Sequence, residues 1–250
     1  MQTERLRAFH VLAKPIGSTC NLDCSYCFYL EKDQLYPEVK NFKMEPDVLE
    51  TFIQQKIEGH SVDTVHFTWQ GGEPTLLGVD YFREVVRLQD KYAGGRHIEN
   101  GFQTNGVLLN DEWCEFFKEH NFLIGLSIDG PEVLHDIYRL NKGGSGSFAQ
   151  VMDGLALLIK HGVEYNTLTV VNAGNQAHPD EIYDFLKSIG STYWQFIPIV
   201  ERLRKEDGML AAPGETGEIP MSEWSVEPAA YGHFLEHIFQ RWVREDVGQI

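Results

Sequence analysis

Apolar, β-rich runs recur at six places along the chain, at 9–13, 62–69, 98–104, 122–128, 165–171 and 193–199. Between them, at 46–59, 81–92, 112–120, 148–161 and 179–189, apolar residues recur every three or four positions, as on one face of a helix. Strand followed by helix, repeated along the chain, implies parallel strands joined by crossover helices, because a parallel pair needs a connection of a dozen residues or more. Eight such units close a barrel. Six predict an α/β fold of the open (β/α)6 type, a three-quarter TIM-like barrel of parallel strands.

Local signals sharpen the helix boundaries. Ser147 with Gln150 three residues later reads as a capping box opening the helix at Phe148, and Gly162 after His161 reads as its stop. The run Gly143-Gly144-Ser145-Gly146 is a turn rather than a phosphate loop, since no Gly-Lys-Ser or Gly-Lys-Thr follows. The charged, Gly- and Pro-containing stretch 202–218 reads as a mobile loop. Beyond it, Tyr231, Phe234, Leu235, Ile238, Phe239 and Trp242 are spaced as one helical stripe.

The polar residues that break the pattern fall just past the strands. Gly71-Gly72-Glu73-Pro74 follows the second, Asn105-Gly106 the third, Ser127 and Asp129 stand at the fourth, and Pro198 to Glu201 follow the sixth. These are carboxyl ends of strands, the rim on which parallel barrels place their chemistry.

Composition narrows the class without deciding it. With 250 residues and 42% apolar content, the chain can bury one large core. No window approaches the roughly 18 consecutive apolar residues of a membrane span. A formal charge of −16 argues against a nucleic-acid partner and leaves room for a basic peptide. Glu4, Arg5 and Arg7 interrupt any apolar leader, so a reducing cytoplasm is the expected compartment.

The candidate chemistry sits on the loop after the first strand. Cys20, Cys24 and Cys27 are spaced CxxxCxxC, and the chain has one other cysteine, Cys114. An iron–sulfur cube held by three thiolates keeps one iron without a protein ligand and open to a small molecule. Structural zinc is the alternative, if His10 or His66 completes a tetrahedron. Cys114, beside Trp113, Phe116 and Phe117, reads as a small core hydrophobe, and His66 and His10 read as core histidines.

The flanks of the triplet carry a resemblance. Lys14-Pro15-Ile16-Gly17 before it, Tyr26 inside it and Phe28-Tyr29-Leu30-Glu31-Lys32 after it resemble the radical S-adenosylmethionine (SAM) superfamily, and within it the anaerobic sulfatase-maturating enzymes. The likeness continues through Trp69-Gln70-Gly71-Gly72-Glu73-Pro74, Gln103-Thr104-Asn105-Gly106, Ser127-Ile128-Asp129-Gly130-Pro131, His135-Asp136 with Arg139, and Phe196-Ile197-Pro198-Ile199-Val200-Glu201. It implies a [4Fe-4S] cluster on Cys20, Cys24 and Cys27, with SAM as the second cofactor. It further implies that Gly71, Gly72 and Glu73 meet the SAM ammonium, Arg139 its carboxylate, Ser127 a further polar group, and Tyr26 and Val200 the adenine, with Gln70 lining the pocket. Gln103, Thr104 and Asn105 point to the same rim, toward either SAM or peptide.

The chemistry implied by the resemblance is one-electron cleavage of SAM by a cluster near the reducing end of the roughly −700 to +450 mV range, giving a 5′-deoxyadenosyl radical. That radical would take a hydrogen from the Cβ of a cysteine or serine in a sulfatase polypeptide, on the way to Cα-formylglycine. The donor expected is a flavodoxin or ferredoxin. A radical maturase of a different peptide, thioether-forming or cofactor-maturing, uses the same front-end motifs. A zinc- or SAM-binding module without turnover is the reading from another class.

The chain departs from that family in one respect. No cysteine follows Cys114, whereas the family continues into a cysteine-rich domain with two auxiliary clusters and the carboxylate that serves as proton acceptor. The expected organisation is a partial barrel over 1–227 and, over 228–250, the start of a linker helix toward an auxiliary-cluster domain. On that reading the catalytic proton acceptor lies beyond Ile250.

Overall fold

Six parallel strands hydrogen-bond in simple chain order, β1-β2-β3-β4-β5-β6, and the sheet remains open between its first and last members. The computed structural model describes residues 8–29, 32, 36–39, 42–204, 209–211 and 214–250. The strands are β1 (Leu12–Ala13), β2 (Thr64–Trp69), β3 (His97–Thr104), β4 (Leu123–Ser127), β5 (Tyr165–Val171) and β6 (Trp194–Pro198). The helices are α1 (Pro46–Gly59), α2 (Val79–Tyr92), α3 (Asp111–Glu119), α4 (Glu132–His135), α5 (Phe148–His161), α6 (Pro179–Ser188) and α7 (Pro228–Glu245), with a 3₁₀ turn at Pro74–Leu77. The chain is an open (β/α)6 partial barrel, as the strand–helix alternation predicts.

Alternation along each strand separates two environments. On β2, Val65, Phe67 and Trp69 are buried toward the helices, while His66 and Thr68 face the barrel lumen. The parallel register from Thr64↔His97 to Trp69↔Phe102 carries the same division onto β3. Trp69, Phe82, Phe102, Trp113 and Phe117 interlock, Phe82 edge to face with both Trp69 and Phe102, with the Phe82 and Phe102 centroids 4.9 Å apart. Burying each such ring contributes about 1.5–3 kcal/mol. One amide pair buried within this layer satisfies itself: Asn100 Oδ1 accepts from Trp69 Nε1 (2.9 Å) and Gln89 Nε2 (2.8 Å), and its own amide donates to Gln89 Oε1. A second core, built on Leu126, Ile128, Val151, Leu155, Ile182 and Tyr183, receives α7 through Phe234 and Ile238.

Several local expectations are corrected. The first strand pairs with β2 only at Leu12 and Ala13, because Phe9 stacks on His60 (centroids 4.2 Å) and its carbonyl engages that ring instead of a ladder. His66 and His10 are not core residues: both are exposed, His66 paired with Glu99 at 2.9 Å and His10 with Thr68 at 3.1 Å, since their strand positions face the lumen. Ser147 does not cap α5. Asp136 Oδ1 accepts from the Ser147 and Phe148 amides at 2.9 and 3.0 Å, and the Ser147 hydroxyl donates to the Arg139 carbonyl instead. The Gly162 stop is present, in the left-handed conformation with φ +62°. Of the expected loop 202–218, residues 205–208 and 212–213 lie outside the described residues; around them Arg202 bridges Met221 and Leu203 bridges Leu210. Met1 to Arg7, and Leu30 and Glu31, also lie outside them.

Candidate functional site

The cysteine loop leaves β1 and crosses the rim between two anchors. On one side the Glu73 amide donates to the Thr19 carbonyl at 2.9 Å. On the other, the Asp23 and Ser25 amides donate to Leu140 and Tyr138 carbonyls at 2.8 and 2.9 Å. Cys20, Cys24 and Cys27 are half-buried and outside any disulfide, and the Cys27 amide closes a turn onto the Cys24 carbonyl. Burial pushes the Cys20 thiol up to about 11 and the Cys24 thiol to about 12, so both are protonated at neutral pH until a cation displaces the protons. Cys114 is fully buried in the aromatic core on α3, as expected.

The glycine turn is built for close approach. Gly72 has φ +50°, and a Cβ there would stand 2.0 Å from the Thr19 carbonyl oxygen; the turn and the cysteine loop meet backbone to backbone. Glu73 differs from the expectation of a carboxylate open to a ligand. It is 1% exposed, with Oε1 accepting from Thr75 N (3.0 Å), Thr75 Oγ1 (2.7 Å) and Thr104 Oγ1 (2.8 Å), and Oε2 from Asn105 N (2.8 Å). Burial raises its pKa, and the Asn105 and Thr75 donors oppose that rise. Asn105 extends the chain of contacts, its Nδ2 donating to Asn21 Oδ1 at 2.8 Å and lying 3.8 Å from Cys20 Sγ.

Across the rim, Arg139 is buried and paired with Asp129, Nη2 to Oδ1 at 3.1 Å and Nε to Oδ2 at 2.9 Å. Burial alone would lower its pKa; the Asp129 carboxylate outweighs burial and holds it above the ordinary value. Tyr26, 6% exposed, donates to Asp129 Oδ2 at 2.5 Å, and its ring lies 5.6 Å from the Arg139 guanidinium carbon. Burial, with the Asp129 charge, keeps the phenol protonated. Asp129 is therefore the hub, receiving the Val170 amide as well at 2.9 Å. Asn175, on the turn after β5, supports it by donating to the Asp129 carbonyl at 3.2 Å and to Val170 at 2.9 Å. No role was assigned to Asp129 or to Asn175 from sequence; the polar turn Asn172-Ala173-Gly174-Asn175 past a strand end was the available signal.

The remaining predicted residues distribute around the lumen. Gln70 and Gln103 line a cleft of about 430 Å³ with His10, Thr68, Gly125, Asn166, Leu168, Gln195 and Ile197. Gln103 Nε2 donates to Ser127 Oγ at 2.9 Å, crossing the space a side chain at Gly125 would fill. Thr104 is buried behind Glu73, and Val200 is exposed past β6. The structure thus brings Cys20, Gly72, Glu73, Thr104 and Asn105 into one contiguous set, and Tyr26, Arg139 and Asp129 into another beside Cys24.

The sequence profile of the radical SAM superfamily matches residues 15–186, and the chain belongs to that superfamily. Among its relatives it is 48% identical, over 97% of its length, to a serine-type anaerobic sulfatase-maturating enzyme of Bacteroides thetaiotaomicron, and 36% identical, over 96%, to a cysteine-type enzyme of Clostridium novyi. A solved structure of native anSMEcpe with bound AdoMet and Cp18Cys peptide superposes with a TM-score of 0.81 at 32% identity, covering 96% of this chain and 61% of that one. The chain spans 59% and 61% of the lengths of the two curated relatives.

Members of the superfamily carry a [4Fe-4S] cluster and SAM, and the residues present fit both. Three soft thiol donors share one half-buried rim loop, while the fourth cysteine is sequestered in the core. Among the described residues, no three His, Cys, Asp or Glu side chains converge as one metal ion requires, and His10 and His66 have partners in the lumen. Among the described residues no helix is long and apolar enough to cross a membrane.

Proposed function

We propose that this chain is the radical-generating barrel of a sulfatase-maturating enzyme, acting on a cysteine or serine of a sulfatase polypeptide to give Cα-formylglycine. The observation that carries the reading is the meeting of the three-thiol loop, the Gly71-Gly72 backbone and Arg139 on one rim, above an open lumen. When bound, the cluster and SAM supply a carbon-centred radical able to take hydrogen from an unactivated C–H bond. The protein's part is placement. Cys20, Cys24 and Cys27 would hold the cluster, the Gly71 and Gly72 backbone the amino-acid end of SAM, and Arg139 its carboxylate through the guanidinium corner that Asp129 does not occupy. Ser127, held by Gln103, and Val200 frame the other end, with Tyr26 beside Cys24. Glu73 acts in this scheme through Thr104 and Asn105, since its oxygens face inward.

The peptide would lie in the lumen cleft below, where Gln70, Gln103, Asn166 and Gln195 offer neutral amide contacts to an extended backbone. A net charge of −16 favours a basic segment as partner. The electron donor is proposed to be a flavodoxin or ferredoxin, and the compartment the cytoplasm, where cysteines outside disulfides persist. The division into a barrel over 1–227 and an approach helix over 228–250 belongs to the same proposal. It is supported by α7, which buries Phe234 and Ile238 and exposes Leu235, Phe239 and Val243.

The test is anaerobic reconstitution with iron and sulfide, then incubation with SAM, reductant and sulfatase peptides carrying either cysteine or serine. The expected product of this chain is 5′-deoxyadenosine; a peptide lighter by about 18 Da from cysteine or about 2 Da from serine is the signature of the complete reaction. Deoxyadenosine formed with a thioether-forming or cofactor-maturing precursor peptide but not with the sulfatase peptide would transfer the activity to that class; failure to form deoxyadenosine at all would defeat the radical reading itself.

A further inference from the structure

One contact chain at the rim runs from a buried carboxylate to the sulfur of a cysteine. It begins at the Glu73 carboxylate, which is walled from solvent and receives four hydrogen bonds, two of them from backbone amides that can only donate. It passes through the Asn105 amide at 2.8 Å to the Asn105 side chain, itself 8% exposed and fixed by the Val107 amide on Oδ1 at 3.0 Å. It ends at Asn105 Nδ2, which faces Asn21 Oδ1 and Cys20 Sγ. The Leu22 amide, 3.4 Å from the same sulfur, is the second donor to it. The other anchor of the loop, Glu73 N to Thr19 O, brings the buried carboxylate's own residue against the residue before Cys20.

We propose that Asn105 and Glu73 are positioning residues that set the reduction potential of the cluster corner held by Cys20, and that they act with opposite signs. The inference rests on the three-thiol cluster reading above. An N–H aimed at a thiolate sulfur stabilises the more negative, reduced cluster and raises the potential; a fixed carboxylate nearby destabilises it and lowers the potential. Two of the Glu73 carboxylate's four partners are backbone amides, which can only donate, and these favour the ionised form against the pull of burial; its own residue also abuts the one before Cys20. The low dielectric of the buried path lets a single charge act at that range. Coupling the two in one rigid chain fixes their balance: the anion that depresses the potential is also the group that holds the donor in place.

The experiment is an EPR-monitored redox titration of the reconstituted holoprotein without SAM, comparing wild type with N105A, N105D and E73Q, each with iron counted per chain. N105A is expected to titrate at a more negative potential than wild type. N105D, which keeps an acceptor for the Val107 amide but replaces the donor by a charge, should shift further in the same direction, and E73Q should move positive. Potentials unchanged in all three, or displaced in one common direction, would overturn the proposal. So would loss of iron from both Asn105 variants with E73Q at the wild-type potential, since Asn105 would then only hold the loop. A wild-type protein that takes up no cluster sinks the functional reading, and this inference with it; a wild-type cluster with unmoved variant potentials sinks this inference alone.

Discussion

Tyr26 donates its phenolic hydrogen bond to Asp129 Oδ2 at 2.5 Å across 103 positions of sequence, tying the cysteine loop to the carboxyl end of β4. The same carboxylate holds Arg139, so one buried anion positions two side chains on either side of Cys24. Removing it strands a buried guanidinium. Asp129→Ala is expected to destabilise the fold by about 3–5 kcal/mol, as breaking a buried pair does. Tyr26→Phe should cost about 1–2 kcal/mol, the loss of one charge-assisted hydrogen bond. Urea unfolding of the two single variants and the double measures their coupling; strictly additive losses would show that Tyr26 and Asp129 do not act as a unit.

Gly72 tests the backbone contact between the glycine turn and the cysteine loop. Its φ of +50° already disfavours a side chain, and the Thr19 carbonyl occupies the place of a Cβ. Gly72→Ala must therefore displace one loop from the other, at a cost of about 1–3 kcal/mol. The expected outcome is a folded protein by circular dichroism with reduced iron per chain after reconstitution. Wild-type iron content in this variant would mean that the two loops are free to separate.

Much of this architecture is legible in the alternation of the strands, because lumen and helix layer impose opposite polarity on successive residues. The bounds of α1 and the whole of β5 follow from the apolar pattern, and the end of α5 from Gly162. The same logic shows why His66 is misread from composition. Its neighbours Val65 and Phe67 are buried, but an intervening position on a strand faces the other way, into an open lumen. Asp129 and Asn175 were not legible as a hub, since their partners come from β5 and from loops distant in sequence. The inward turn of Glu73 depends on Thr75 and Thr104 offering donors behind it, which no local pattern encodes. Ser147 has the residue type of a cap, yet Asp136 takes the amides because Arg139 claims the serine hydroxyl.

Cysteine replacements separate ligand from core. Changing Cys20, Cys24 or Cys27 to alanine should abolish the visible absorbance of the reconstituted cluster. Cys114→Ala should retain it, while lowering stability by about 1–2 kcal/mol through the small cavity it opens among Trp113, Phe116 and Phe117. Iron content and unfolding midpoint on the same preparations read both effects. A Cys114→Ala protein without cluster would give that thiol a ligand role that its burial denies.

His135 supplies a pH dependence whose sign follows from its surroundings. It is fully buried, with Nδ1 beside the Asp129 amide and Nε2 3.1 Å from the Ser147 hydroxyl. Burial first, and then the Arg139 charge, lower its pKa to about 3 against the partial opposition of Asp129. The folded state therefore keeps the ring neutral at a pH where the unfolded chain, titrating near 6.5, binds a proton. Stability is complete above the unfolded value and is lost as pH falls from there toward 3, by up to about 1.4 kcal/mol per pH unit for one proton. Urea midpoints measured between pH 7 and pH 5 should decline in the wild type and decline less in His135→Gln, which keeps an uncharged polar side chain. A variant with the same slope as wild type would show that the acid sensitivity in this window originates elsewhere.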